Sequence, residues 1–396
     1  MVERSTLNTI ALLIAIFGGT WEYLLKPNLK TMGYGRVVES INNDRCETVP
    51  ELSACESESP SLLCLWCKGI GNSQPTLPCS YECFRAFSEI VLHQPTGILY
   101  LACSTPQSRV HWTPAVSRLN ATGASRTDYV ATYDPATKKI TKLIPEDLTP
   151  EVERRGFSLH GMDVVPADGS KDGKDLYVYL VNHRAPLVGD AKEVGADSVI
   201  QVFKIRIGDN VMRYVATVEH DVIITPNDIV GGRDGKSFWF TNDHIAKVGI
   251  IRELSLLGHA GTSVGYCSAT SSSKWSCHFA IEKLHGANGI ARSPNPANKT
   301  VYVANAYAGG LYILEEVEGK KLVKKEVAPT DRGMDNISVD ADGHVWAAAF
   351  PSALTLTLKH FANPTKEVSP SSAIRFTVHP NPKAIDFGIN YKIEKV

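Results

Sequence analysis

The chain has 396 residues, 43% hydrophobic and 21% charged, which is the composition of an ordinary globular protein and not of a disordered or fibrous one. Its formal net charge is −1, its pI is about 6.9, and no Lys/Arg block is interleaved with aromatics. These features argue against a nucleic-acid surface and favour a small-molecule ligand.

The first element in chain order is apolar. After Glu3 and Arg4 comes the run 7–17, broken by Gly18 and Gly19 and resumed by Trp21, Tyr23, Leu24 and Leu25. The run falls short of the roughly 20 residues of a membrane helix, and no small-x-small cleavage site follows it. This pattern predicts a retained signal anchor over residues 1–30, entry to the secretory route, and association with a membrane through that anchor. A buried core helix is the alternative reading. The sequons at Asn120 and Asn298, completed by Thr122 and Thr300, lie among polar turn residues and suit that compartment. A third, at Asn336, sits in an apolar strand context.

Residues 57–88 differ from their surroundings in composition. They contain Cys64, Cys67, Cys79 and Cys83, a spacing that by itself suggests a four-thiolate zinc site. We read this segment instead as an insertion, consistent with a retained intron, because Ser57-Glu58-Ser59 can be encoded by a splice-donor-like sequence.

From residue 98 onward the chain reads as short strands rich in Val, Ile, Tyr, Phe and Thr between Gly, Pro, Asn and Asp. Examples are 98–102, 129–133, 176–181, 199–205, 237–241, 300–304, 310–314 and 344–348. Long amphipathic helices are nearly absent. More than 300 residues of such material favour a β-propeller.

Asn-containing turns recur at Pro226-Asn227-Asp228, Ala287-Asn288-Gly289 and Met334-Asp335-Asn336. The intervals 227 to 288 and 288 to 335 are 61 and 47 residues, about one four-stranded blade each. Each turn would lie just before an inner strand, so distant residues would converge on the central channel. What converges is a set of amide and carboxylate oxygens, the ligand chemistry of a hard cation such as calcium. A single such pair is more often a turn residue bonding its own backbone; the repeat at blade spacing argues for a site.

Six segments in register then resemble the paraoxonase/arylesterase family. Phe157-Ser158-Leu159-His160-Gly161-Met162 is similar to its Phe-x-x-His-Gly segment, and Leu180-Val181-Asn182-His183 to its Val-Val-Asn-His strand end. Pro226 to Val230, Thr241-Asn242-Asp243-His244, Ala287 to Ile290 and Asp335 to Asp340 follow in the same order. The resemblance implies an all-β, six-bladed β-propeller over residues 31–396, preceded by the hydrophobic anchor helix, and a calcium-dependent hydrolase of lactones and aryl esters, in some members also of phosphotriesters.

Carried over by position, the resemblance implies two calcium ions. A catalytic ion would be held by Asn227, Asn288, Asp335, Asn336 and a Glu near the chain start, Glu56 with Glu89 as competitor. A structural ion would take Asp228 and the backbone carbonyl of Met162. His160 and His183 match the histidine pair proposed to activate water. The family also continues to a Cys near its C-terminus that pairs with one near the start, here Cys46. The chain lacks that partner, so its closing strands are expected to be missing. Cys267 and Cys277 are candidates to pair within a Ser-rich loop. The rival readings are a non-catalytic propeller of the strictosidine-synthase-like type and a gluconolactonase-type sugar lactonase.

Overall fold

A computed structural model of the chain describes residues 4–39, 46–49, 52, 55–56, 81–83, 86–87, 89–256, 260–271, 274–295, 297–363, 366–380 and 389–395. The Val-, Ile- and aromatic-rich runs form strands because branched and aromatic side chains pack well on a pleated, half-buried surface. They build five sheets of consecutive antiparallel strands around one channel.

Blade one comprises Glu89–His93, Ile98–Cys103, Tyr129–Asp134 and Lys139–Lys142. Blade two comprises Leu159–Pro166, Asp175–Arg184, Asp197–Arg206 and Val211–Val218, with Ile144–Glu146 added in parallel at its outer edge. Blade three runs from Pro226–Gly231 through Ser237–Asn242 and Thr262–Ala269 to Trp275–Leu284. Blade four runs from Ala287–Arg292 through Thr300–Asn305 and Leu311–Val317 to Lys321–Ala328, and blade five from Met334–Val339 through Val345–Ala349 and Ser372–Pro380 to Ile389–Lys395.

The protein is therefore an all-β propeller. Among the described residues it has five blades where six were expected. Among the described residues, the stretch ahead of blade one contributes two short parallel pairs, Cys46–Thr48 with Tyr81–Cys83 and Cys55–Glu56 with Ala86–Phe87.

Apolar layers hold neighbouring blades together. Tyr100, Phe157, Leu180 and Phe203 fill the space between blades one and two, and Val202, Phe238 and Phe240 the space between two and three. Trp239, Val303 and Leu314 join three to four, and Ala304, Ile313 and Phe376 join four to five. Each fully buried aromatic contributes about 1.5–3 kcal/mol relative to exposure, so the ring is stabilised by its inter-blade seams as well as by its ladders. Cys267 and Cys277 form a disulfide, but between facing positions of two strands of blade three and not within a loop.

The N-terminal segment is helical: Arg4–Thr20 continues through Trp21–Leu25 into Lys26–Thr31. No helix among the described residues is long and apolar enough to cross a membrane. Leu12, Ile14 and Phe17 are nevertheless largely exposed, so this helix is not the buried core element of the alternative reading. Its root is fastened to the propeller, where Arg36 Nη1 donates to Pro351 O at 2.7 Å and Leu354 N to Met32 O at 3.2 Å. Cys64, Cys67 and Cys79 lie outside the described residues. Asn120 and Asn298 are exposed, whereas Asn336 is buried, as its strand context predicts.

Candidate functional site

The residues singled out as turns lie inside strands. The innermost strands of blades two to five each shift register at the same place: between Leu159 and Met162, Pro226 and Ile229, Ala287 and Ile290, and Met334 and Ile337. The two residues within each shift are His160-Gly161, Asn227-Asp228, Asn288-Gly289 and Asp335-Asn336. A bulge sets two residues against one on the partner strand and re-aims a side chain that regular pleating would turn away. Four bulges at equivalent positions thus bring polar groups to one end of the channel. His160 belongs to the same repeat as the Asn residues. In the sequence only the following glycine, shared by His160-Gly161 and Asn288-Gly289, links the two.

The two glycines are required by close approach. A Cβ on Gly161 would fall 2.2 Å from the backbone oxygen of Asn227, and one on Gly289 would fall 2.6 Å from that of Asp335. Both obstructions are backbone, which cannot swing aside. Gly161→Ala is therefore expected to lower stability by at least about 1–3 kcal/mol, as overpacking does. A fall in the urea midpoint with the slope unchanged would show it; an unchanged midpoint would refute the close packing.

His160 is positioned from behind. The backbone amide of Leu159 donates to Asp128 Oδ2 at 2.9 Å, and its carbonyl accepts from Arg109 Nη2 at 3.0 Å. His160 Nε2 accepts from Asn227 Nδ2 at 3.2 Å, while its Nδ1 is buried with no hydrogen-bond partner. His183 ends the second strand of blade two. Its ring lies 5.2 Å from that of His160, with Nδ1 2.8 Å from Ser198 Oγ and Nε2 buried without a partner. Burial, then the charge of Arg109, pushes the His160 pKa down to about 4. Burial, then His160, lowers that of His183 well below its ordinary value. Both rings are neutral at neutral pH.

The oxygen groups meet across the blades. Asn227 turns its second N–H to Asp243 Oδ2 at 3.2 Å. Asn288 hydrogen-bonds the Asp335 carboxylate, and Asn288 Oδ1 is left buried with no partner. An amide whose nitrogen is committed to a carboxylate must present its oxygen elsewhere, which sets the orientation of both Asn side chains. Burial pushes Asp335 up to about 6 and Asp228 up to about 8. Asp228 lies one step deeper; its oxygens accept from Ile229 N and, across to blade four, from Ile290 N, each at 2.7 Å.

Asn336 is buried at the same bulge as Asp335. The Met162 side chain belongs to the apolar layer between blades one and two, so only its backbone is available to the channel. Glu89 opens the innermost strand of blade one, and Glu56 lies in a two-residue strand paired beside Phe87. The side chains of both lie outside the described residues.

Two acidic residues to which the sequence assigns no role also stand at the site. Asp243 is buried; burial alone would raise its pKa, but His244, Arg252 and His160 hold it well below the carboxylate range. Asp163 spans blades two and three by accepting from Val164 N and Gly231 N, each at 2.8 Å. Below the bulges all five innermost strands line a cavity of about 670 Å³. A separate cluster, Asp340, Asp342 and His344, lies in the hairpin of blade five and is tied by its own hydrogen bonds.

The sequence profile of the arylesterase family matches residues 153–382. A Gallus gallus protein named serum paraoxonase/arylesterase 2 is 29% identical over 192 residues, 48% of this chain and 49% of that protein. The Homo sapiens protein of the same name is 26% identical over 213 residues, 53% and 55% respectively. The chain thus spans about half the length of the curated relatives it matches. Among solved structures, a periplasmic gluconolactonase of Pseudomonas aeruginosa is 10% identical at a TM-score of 0.43, with 82% of this chain and 77% of that one covered.

Proposed function

Because the chain belongs to the arylesterase family, whose profile spans residues 153–382, we propose that it is a calcium-dependent hydrolase of lactones and aryl esters. The observation that carries this reading is the set of four equivalent bulges, which puts His160 beside an oxygen-rich cluster at one end of the channel.

The fit of a hard cation rests on the cluster's own chemistry. Asn288 Oδ1 is an orphaned acceptor, the amide nitrogens of Asn227 and Asn288 are already committed, and buried carboxylates stand close enough to raise one another's pKa. Carboxylate and amide oxygens suit calcium, and no thiolate belongs to this group. Asn227, Asn288, Asp335 and Asn336, with Glu56 or Glu89, would hold a catalytic ion; Asp228 and the Met162 carbonyl would hold a second, structural one. When bound, the ion polarises the substrate carbonyl and stabilises negative charge on its oxygen.

The protein's own part is to position and to move a proton. His160, neutral at neutral pH, offers its Nε2 lone pair beside Asn227 and there takes a proton from the attacking water. The contact with Asn227 Nδ2 is long enough at 3.2 Å to yield to a stronger donor. His183, anchored at Nδ1 by Ser198, keeps the neighbouring ring from turning. Phosphotriesters, with an analogous polarisable oxygen, extend the substrate range.

The pair Cys55–Glu56 with Ala86–Phe87 lies against blade one, where a sixth sheet of the propeller would stand. Exposed apolar side chains on the N-terminal helix and the exposed Asn120 and Asn298 sequons support a secretory protein whose residues 1–30 act as an uncleaved anchor ahead of the propeller, residues 31–396.

Purified protein should hydrolyse members of a panel of lactones and phenyl esters in calcium-containing buffer. Failure against every member, with calcium bound and the fold intact, would sink the hydrolase reading.

A further inference from the structure

The segment Thr241-Asn242-Asp243-His244 carries two buried titratable side chains that the reaction above leaves unused. They belong to a continuous hydrogen-bond chain. His244 Nδ1 lies 2.8 Å from Asp243 Oδ1, and His244 Nε2 lies 3.1 Å from the Tyr307 hydroxyl of blade four. Asp243 Oδ2 accepts from Asn227 Nδ2, whose other hydrogen points to His160 Nε2, both at 3.2 Å.

Donor and acceptor roles follow in sequence along this chain. An ionised carboxylate only accepts, so His244 carries its proton on Nδ1 and Asn227 presents its amide nitrogen. The Tyr307 hydroxyl stands at the other ring nitrogen, Nε2, and also lies 3.5 Å from the Asp243 backbone oxygen. The support is equally well fastened. Asp243 N donates to Thr225 O at 3.1 Å, His244 N donates to Thr225 Oγ1 at 3.0 Å, and Thr225 Oγ1 donates to His244 O at 2.9 Å, two residues before Asn227. The Tyr307 ring sits where a Cβ on Gly286 would fall 2.9 Å away, so a glycine at φ +61° is what admits it.

We propose that Tyr307, His244 and Asp243 form a positioning chain that holds the Asn227 amide with its carbonyl oxygen toward the channel cation and its nitrogen toward His160. Tyr307 is then a positioning residue that acts on the metal and on His160 only through Asn227. This rests on the calcium reading given above. The reverse orientation of Asn227 would set its oxygen against Asp243 and point its two N–H groups at the cation. The chain excludes that state before any ion arrives.

Tyr307→Phe keeps the ring and removes only the hydroxyl, so it is the variant of choice. Calcium affinity, measured by isothermal titration with the metal alone, should weaken about three- to tenfold, the worth of one hydrogen bond. The melting temperature in excess EDTA should fall by no more than the loss of that one hydrogen bond. In an Asn227→Ala background, where the amide is absent, the same substitution should cause no further loss, because residues acting through one another are non-additive.

Unaltered calcium affinity in Tyr307→Phe, or a loss that adds in full to that of Asn227→Ala, would overturn the positioning chain while leaving the calcium site standing. A lower melting temperature in EDTA with calcium affinity unchanged would assign Tyr307 a packing role and overturn the chain equally. A parent protein that binds no calcium at all would overturn the metal reading itself, and the chain with it.

Discussion

Excess EDTA followed by dialysis should abolish hydrolysis by the parent protein, and calcium, not zinc, should restore it. The reason lies in the donor set: Asn227 and Asn288 amide nitrogens committed to carboxylates, an orphaned Asn288 oxygen and buried carboxylates offer oxygen lone pairs that suit a hard cation. Asp335 is the sharpest probe, because it supplies a full charge beside Asn336 and also accepts from Asn288. Asp335→Ala removes the charge and releases the Asn288 amide at one stroke, so the calcium needed for half-maximal activity should rise and activity at fixed calcium should fall.

The stability effect should have the opposite sign without metal. Burial pushes Asp335 up to about 6, above its value in the unfolded chain, so at neutral pH its ionised form costs the metal-free fold stability. In EDTA the Asp335→Ala variant should therefore melt no lower than the parent. In calcium the parent should melt higher, gaining about 2.7 kcal/mol at a hundredfold excess over Kd. Undiminished lactone hydrolysis by metal-stripped parent protein would rule out the cation's role.

His160→Gln should lower kcat against at least one substrate class by about 10²–10⁴-fold, the usual worth of a positioned base, with calcium affinity unchanged. Gln is the appropriate replacement: its side-chain oxygen can accept from Asn227 Nδ2, so the metal-side geometry survives while the titratable nitrogen is lost. A fall in kcat at constant calcium affinity separates the base from the ligands, whose loss moves both. If every lactone and ester rate stays at the parent value, the attacking water is activated by some other group.

Much of this was legible in the chain itself. Val-, Ile- and aromatic-rich runs between turn residues determine a strand locally, because alternation and branching act within a few residues. The recurrence of Asn227, Asn288 and Asp335 at blade-sized intervals was equally readable, since a repeat places like residues in like positions. The facing placement of Cys267 and Cys277 could be suspected but not assigned to a strand pair, because pairing depends on the register of two strands.

Other features required the folded ring. The sites proved to be bulges inside strands and not turns before them, because a bulge is defined by which partner residues stand opposite, and partners are chosen across the sheet. That equivalence also added His160 to the Asn repeat, although a histidine followed by glycine does not look like an Asn turn. Asp243 and Tyr307 could not be assigned a role from sequence: they lie 16 and 80 residues beyond Asn227, and only the packing of blade four beside blade three brings Tyr307 to His244. The sequence by itself determined the strands, their repeat and the oxygen chemistry gathered on the axis. The tertiary structure decided the blade count among the described residues, the direction of each Asn amide and the partners of each imidazole, because hydrogen-bond direction depends on what stands opposite a group in space, and local sequence carries no information about neighbours supplied by another blade.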